Sequence, residues 1–275
     1  MKKQQLAALG GMVASLFAAM PAQASAWVGT ADYTKAPGII GNLAEEAKTE
    51  LVGPFDKYDF GTGVVLLESV ASCVSGASCY DGYYQSFVTN HELTPTPLTS
   101  TKLNNSYEVT VTANFSEVVT STGVSVTGGQ VKLWLDMGVD RNFAGDTGFS
   151  DGYNFLSGTI VGGAGTVSSF GALSFGATVL EIRVDSYDTA IFEPDTIVGG
   201  DGIFTLRLNF PSDASFINSV NSVQSHTYNA GSDLKFTADG YVDLAAAPIP
   251  EMDQYALMLL GFGLTGVLAR KRNQA

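Results

Sequence analysis

The stretch "DRNFAGDTGFSD" (140–151) comes nearest, in residue type and spacing, to a site that does chemistry. It sets Asp140, Asn142, Gly145, Asp146 and Asp151 at positions 1, 3, 6, 7 and 12 of a calcium-loop template. Hard cations want several oxygen ligands, and a glycine at position 6 permits the sharp turn around the ion. Asp140, Asn142, Asp146 and Asp151 are therefore the candidate metal ligands, with Ca2+ as the candidate ion. Two features count against them: Ala144 supplies no side-chain oxygen at position 5, and Asp151 stands where a bidentate Glu is usual. The preceding "VKLWLDMG" also reads as a strand rather than a helix. The alternative is a long solvated turn in which Asp and Gly serve turn geometry.

Other chemistry is sparse. "HELTP" (91–95) opens like a zincin helix but lacks the second histidine and contains proline. Neither a G-x-S-x-G elbow nor a Walker loop occurs in the sequence. The two histidines, His91 and His226, have no nucleophile beside them and read as hydrogen-bonded sheet or loop residues. A glycosidase needs two carboxyl groups that meet only in space, and among 27 Asp and Glu the sequence singles out no pair. The expectation is a non-enzymatic protein with no catalytic residue and no cofactor beyond the candidate Ca2+. A secreted glycan-active enzyme using a carboxylate pair is the alternative.

The elements that must position these residues are strands. Gly, Ser, Thr and β-branched residues dominate the composition, which suits a strand-and-turn protein. The runs 64–73, 83–93, 107–119, 130–138, 178–188, 202–210 and 233–246 are β-rich and bounded by turn residues. Several alternate, as Tyr107, Val109 and Val111 do against Glu108, Thr110 and Thr112. Only 42–51 carries a helical stripe, Leu43, Ala47 and Leu51, while 93–106 is a Thr/Pro-rich connection without a strand pattern. Strands recurring between turn signals predict an all-β fold, an antiparallel β-sandwich-like single domain over 25–247. Cys73 and Cys79, the only cysteines, read as a disulfide across a short glycine-containing loop.

The two ends differ from this body. Lys2 and Lys3 precede the uncharged run Leu6 to Met20, and Ala22-Gln23-Ala24 offers a small-residue cleavage site, the layout of a signal peptide over 1–24. Ala24-Ser25-Ala26 fits the same pattern, so the mature chain begins at Ser25 or at Trp27. At the other end, 248–275 runs from Pro250, Glu251 and Met252 through an apolar stretch, 255–269, to Arg270, Lys271 and Arg272. As a helix the stretch is about 22 Å long, short of the hydrocarbon core, with snorkelling cations to extend it. Cations after the apolar run leave 271–275 on the cytoplasmic side and the body outside. A permanent anchor and a buried helix are the competing readings of the tail. Between the ends lie 9 of the 14 basic and 25 of the 27 acidic residues, a net charge of −16. Such a field disfavours nucleic acid and anionic lipid and attracts cations.

Pro-Glu, a short polar spacer, a Leu/Gly-rich span and a terminal Arg/Lys cluster together resemble the PEP-CTERM sorting signal of Gram-negative bacteria, with Met252 in place of the usual second proline. The resemblance implies an exosortase as partner, transient residence at the inner membrane through a transmembrane helix at 255–269, and processing near Pro250, Glu251 and Met252. Within the body, "GPFDKYDFGTGVVLLESVASC" and "DGYYQSFVTNHEL" resemble the flocculation-associated PEP-CTERM proteins over 53–93. That likeness implies a cell-surface or extracellular-matrix protein promoting aggregation through exopolysaccharide, with Tyr80, Tyr83 and Tyr84 as aromatics that either meet sugar or pack within the sheet.

Overall fold

Residues 25–121, 123–170, 173–208 and 214–247 are described, in a computed structural model, and the side chains of 169–170, 173–175 and 203–208 are excepted. The signal segment 1–24 with Ala22 and Ala24, and the tail 248–275 with Pro250, Glu251, Met252, Arg270, Lys271 and Arg272, lie outside the described residues. So does the expected span 255–269; among the described residues no helix is long and apolar enough to cross a membrane.

In chain order the strands are β1 (Ser25–Ala26), β2 (Gly29–Asp32), β3 (Leu51–Phe55), β4 (Lys57–Val70), β5 (Ser78–Leu93), β6 (Thr96–Pro97), β7 (Glu108–Thr120), β8 (Gly123–Asp136), β9 (Tyr153–Phe170), β10 (Leu173–Tyr187), β11 (Phe192–Glu193), β12 (Ile197–Leu208), β13 (Ser222–Val223), β14 (His226–Thr227) and β15 (Leu234–Ala246). The eight long ones, β4, β5, β7, β8, β9, β10, β12 and β15, each pair antiparallel with the next. β15 then pairs back onto β4, from Leu234 opposite Leu67 to Asp243 opposite Lys57. The ring closes. The all-β, antiparallel expectation holds, but the sandwich is replaced by one barrel-like sheet that runs up and down in sequence order. Closure leaves the eight strands without an open edge. A sandwich and a barrel share the same alternating pattern, because each strand buries one face in either.

That alternation is visible strand by strand. On β8, Val131, Leu133 and Leu135 are buried inside, while Gln130, Lys132, Trp134 and Asp136 face outward. On β10, Leu180 and Ile182 point in, whereas Glu181, Arg183 and Asp185 are exposed. An outer wall bearing charges of both signs is a water-facing wall. β9 was not expected: "YNFLSGTIVGGAGTVSSF" holds glycines that weaken strand propensity and dilute the pattern. The expected helix over 42–51 shrinks to one turn, Leu43–Glu46, with Leu43 81 % exposed. Its apolar stripe has no partner face, and the chain turns instead into β3.

One end of the barrel is filled with aromatic side chains. β2 and β3, with β11, form a small three-stranded sheet. It brings Trp27, Tyr33 and Phe55 against Tyr58, Tyr107, Phe155 and Phe192, all buried. Phe55 meets Trp27 edge-on at 5.4 Å, Tyr58 at 5.2 Å and His91 at 4.9 Å between ring centroids. His91 sits on β5 with Nε2 2.7 Å from the Tyr33 hydroxyl, itself 3.1 Å from the Tyr58 hydroxyl. Both histidines are thus hydrogen-bonded sheet residues, His226 through Glu68 at 3.2 Å. Towards the other end, Cys73, in the connection after β4, is disulfide-bonded to Cys79 at the start of β5, with Cα atoms 5.5 Å apart. Outside the barrel, Val64 and Leu66 of β4 are buried together with Val220, just before the β13–β14 hairpin, and Val223 of β13.

Candidate functional site

The outward faces of β5, β7 and β8 form the floor of a groove of about 500 Å3. Pairing sets Gln85 opposite Thr112 and Thr112 opposite Lys132, with Asn114 opposite Gln130 in the adjoining row. Trp134, half-buried on β8, donates its indole N–H to the Thr112 hydroxyl at 2.9 Å, which fixes the ring plane. The Lys132 ammonium lies 5.8 Å from that ring. The floor therefore offers one aromatic plate, one cation, and amides that both donate and accept hydrogen bonds.

Two irregular segments form the walls. One is the loop after β8, whose residues Asp146 to Asp151 line the groove. Glu108, fully buried, anchors this loop by accepting the backbone N–H groups of Asp140 at 3.0 Å and Arg141 at 3.1 Å. It also pairs with the Arg141 guanidinium. The Thr110 hydroxyl reaches the Phe149 carbonyl at 2.9 Å. At Gly148, φ is +78°, and a Cβ would stand 2.6 Å from the Arg141 backbone, so the loop needs glycine there. The other wall is the tight turn of the β13–β14 hairpin, Gln224–Ser225. Gln224 donates its side-chain amide to the carbonyls of Tyr84 at 2.7 Å and Ala113 at 3.0 Å.

The two walls are bolted together by Asp146, whose carboxylate accepts the N–H groups of Gln224 at 2.9 Å and Ser225 at 2.7 Å. Asp146, Gln224 and Ser225 have φ of 52°, 52° and 68°, three of the four non-glycine residues with positive φ among those described. Left-handed backbone is unfavourable for side-chain-bearing residues and persists where surrounding bonds hold it. Here all three cluster at one groove. Its rim is preorganised at the expense of local backbone energy.

Of the four candidate calcium ligands, the structure brings Asp140 and Asp151 together and adds Asp136 from the end of β8, with carboxylate oxygens within 4.8 Å of one another. Some loss of hydration within the cluster, and then the neighbouring Asp136 and Asp151, raise the Asp140 carboxyl from its usual value although the residue is exposed. Asn142 instead accepts the Gly145 N–H at 3.0 Å and bridges to Thr147, and Asp146 serves the hairpin. Asn142 is held by its own loop and Asp146 by the hairpin, so the four candidate ligands do not converge on one point. The tyrosine cluster also divides, since neighbouring strand residues face opposite ways. Tyr84 is buried in the core, and Tyr83 stacks on His226 outside, 3.5 Å between centroids. Trp134 and Gln224 escaped the sequence reading. A tryptophan at an outward, otherwise polar position of "QVKLWLD" was the available signal.

No family model, curated protein or solved structure matches this chain.

Proposed function

We propose that the protein is an exported, non-enzymatic surface or matrix protein that promotes cell aggregation by holding extracellular polysaccharide in the barrel-wall groove. The observation that carries this reading is the combination of a fixed indole plate with Gln85, Asn114, Gln130 and Gln224 around a preorganised concavity of about 500 Å3. Pyranose rings present an apolar C–H face and a rim of hydroxyls. An aromatic with a tethered polar tip suits the face, and amides suit the rim. The groove falls in the size range of small-molecule and oligosaccharide sites. A net charge of −16 on the body keeps the protein in solution and favours neutral or cation-bearing glycans over polyanions.

In this reading the signal segment exports the chain, and the tail at Pro250, Glu251 and Met252 is the substrate of an exosortase after transient residence at the inner membrane. Mass spectrometry of the mature C-terminus tests that part: extracellular protein ending before Arg270 is expected, and an intact Arg270 there overturns it. The groove is tested by co-sedimentation of the purified protein with exopolysaccharide from the producing cells. Binding without new reducing ends is expected, and Trp134→Ala should weaken it about tenfold, the loss of one hot-spot aromatic, with an unchanged melting temperature. New reducing ends would replace binding by hydrolysis. Full binding by Trp134→Ala would move the site elsewhere.

A further inference from the structure

At the base of the groove one amide donor has no acceptor. Gln85, on the outward row of β5, is 1 % exposed and lines the groove beside the hairpin turn. Its side-chain oxygen accepts the Gln224 N–H at 3.3 Å, which sets the amide orientation, because the reverse one would bring two donors together. The Nε2 group is left buried and without a hydrogen-bond partner among the described residues. A buried donor without an acceptor is unfavourable, and one that lines a cavity of about 500 Å3 points to an acceptor from outside the chain. The acceptors around it are already engaged. Gln224 holds the Tyr84 and Ala113 carbonyls, and the Thr112 hydroxyl, next in the cross-strand row, takes the Trp134 indole N–H.

We propose that the groove reads the acetamido group of an N-acetylated sugar, with Gln85 Nε2 donating to the acetamide carbonyl; the inference rests on the reading of this groove as a glycan site. A sugar hydroxyl brings a proton as well as lone pairs, and beside Gln85 that proton meets acceptors already in use. A carbonyl oxygen only accepts, and an acceptor is what this spot lacks. A carboxylate also only accepts. The groove, however, carries the carboxylates of Asp146 and Asp151 against the one ammonium of Lys132, so an anion enters an unfavourable local field. The rest of the sugar unit finds counterparts nearby. Asn114 and Gln130, exposed in the adjoining row, present oxygens for the acetamide N–H, and the Trp134 indole gives apolar surface to the pyranose face. Contact with so enclosed a donor takes a side-chain shift at the base of the groove, a common adjustment on binding.

The test titrates the purified protein, by calorimetry, with three trisaccharides of one linkage that differ only at C2: N-acetylglucosamine, glucose and glucosamine units. The acetamido form should bind about tenfold more tightly than the hydroxyl form, the scale of one hydrogen bond to a buried donor. It should also bind more tightly than the ammonium form, although the acidic body favours a cation. Gln85→Met, similar in length and without a donor, should remove the preference and leave binding of the glucose trisaccharide unchanged. The hairpin wall stays in place in that variant, because the Gln224 N–H keeps its bond to Asp146 at 2.9 Å. If Gln85→Met does not fold, the three wild-type affinities decide. Equal binding of the acetamido and hydroxyl forms, or a preference that survives in Gln85→Met, overturns the proposal while the groove remains a glycan site. Tighter binding of the ammonium form overturns it in favour of charge. Failure of all three to bind, while exopolysaccharide still co-sediments, overturns it as well; failure of both takes the glycan reading with it.

Discussion

His91, at the filled end of the barrel, and Glu117, away from it, are both buried, and the fold treats them differently. At the filled end, His91 is held by the Tyr33 hydroxyl at 2.7 Å and surrounded by Tyr33, Phe55 and Tyr58. Burial lowers it to about 3, so it stays neutral and has a hydrogen-bond partner in that state. Glu117 is less completely buried and is raised to about 7, and no group among the described residues bonds to its carboxyl. The first is hydrogen-bonded within a packed aromatic end; the second has no protein partner among the described residues, and its burial appears as a raised pKa. Burial acts on both, and a hydrogen-bond partner on one only.

The largest expected effect belongs to the filled end. Phe55 is fully buried and touches three rings, so Phe55→Ala should destabilise the protein by about 3–5 kcal/mol, the range for large aromatic truncation in a core. Denaturant unfolding measures this. A loss below about 1 kcal/mol would mean that this end is loosely packed and that the contrast between the two ends is false.

Next comes the pH dependence, where the two groups have opposite signs. The Glu117 carboxyl moves from 4.5 to about 7 on folding, so the folded state binds the extra proton. Its neutral form is fully tolerated below 4.5, and stability falls as pH rises from there through about 7. The drop amounts to about 3 kcal/mol. His91 moves from 6.5 to about 3, so here the unfolded chain binds the extra proton and stability is lost as pH falls through that window. Between pH 4.5 and 6.5 the two slopes oppose each other. Glu117→Gln should therefore stabilise the protein by about 2–3 kcal/mol at pH 8. It should also unmask a positive slope of about 1.4 kcal/mol per pH unit between pH 5 and 6. A variant whose stability follows the wild-type pH curve would show that Glu117 has a partner in solution.

The sequence carried some of this and not the rest, for physical reasons. Seven of the eight barrel strands stood out by alternation and turn residues, and β9 did not because its glycines carry no side chain to alternate. Closure was invisible, since the pairing of Leu234 with Leu67 links residues far apart in the chain and no local pattern differs between a closed and a split sheet. At the groove, Asp146 and Asp151 were singled out for calcium, but the partners that redirect Asp146 are the N–H groups of Gln224 and Ser225, nearly eighty residues away. Glu117 lay in the recognised run "YEVTVTANFSEVV", and its inward parity was countable from Val109, Val111 and Ala113. A glutamate on the apolar phase of a strand is a signal that alternation alone supplies.

The smallest effect separates crowding from burial. Asp136, Asp140 and Asp151 converge within 4.8 Å at the rim of the loop, but Asp140 and Asp151 are exposed, so water screens their repulsion far more than the barrel screens Glu117. In the presence of a chelator, Asp140→Asn should raise the melting temperature by no more than about 2 °C, the scale of a few tenths of a kcal/mol in a domain of this size. Repeating the melt in millimolar calcium gives the comparison its sharpest form. Equal curves for both proteins mean that the three carboxylates merely tolerate one another. A calcium-dependent rise in the wild type that Asp140→Asn lacks would put an ion among the three, and crowding rather than burial would then be what binds a cation in this fold.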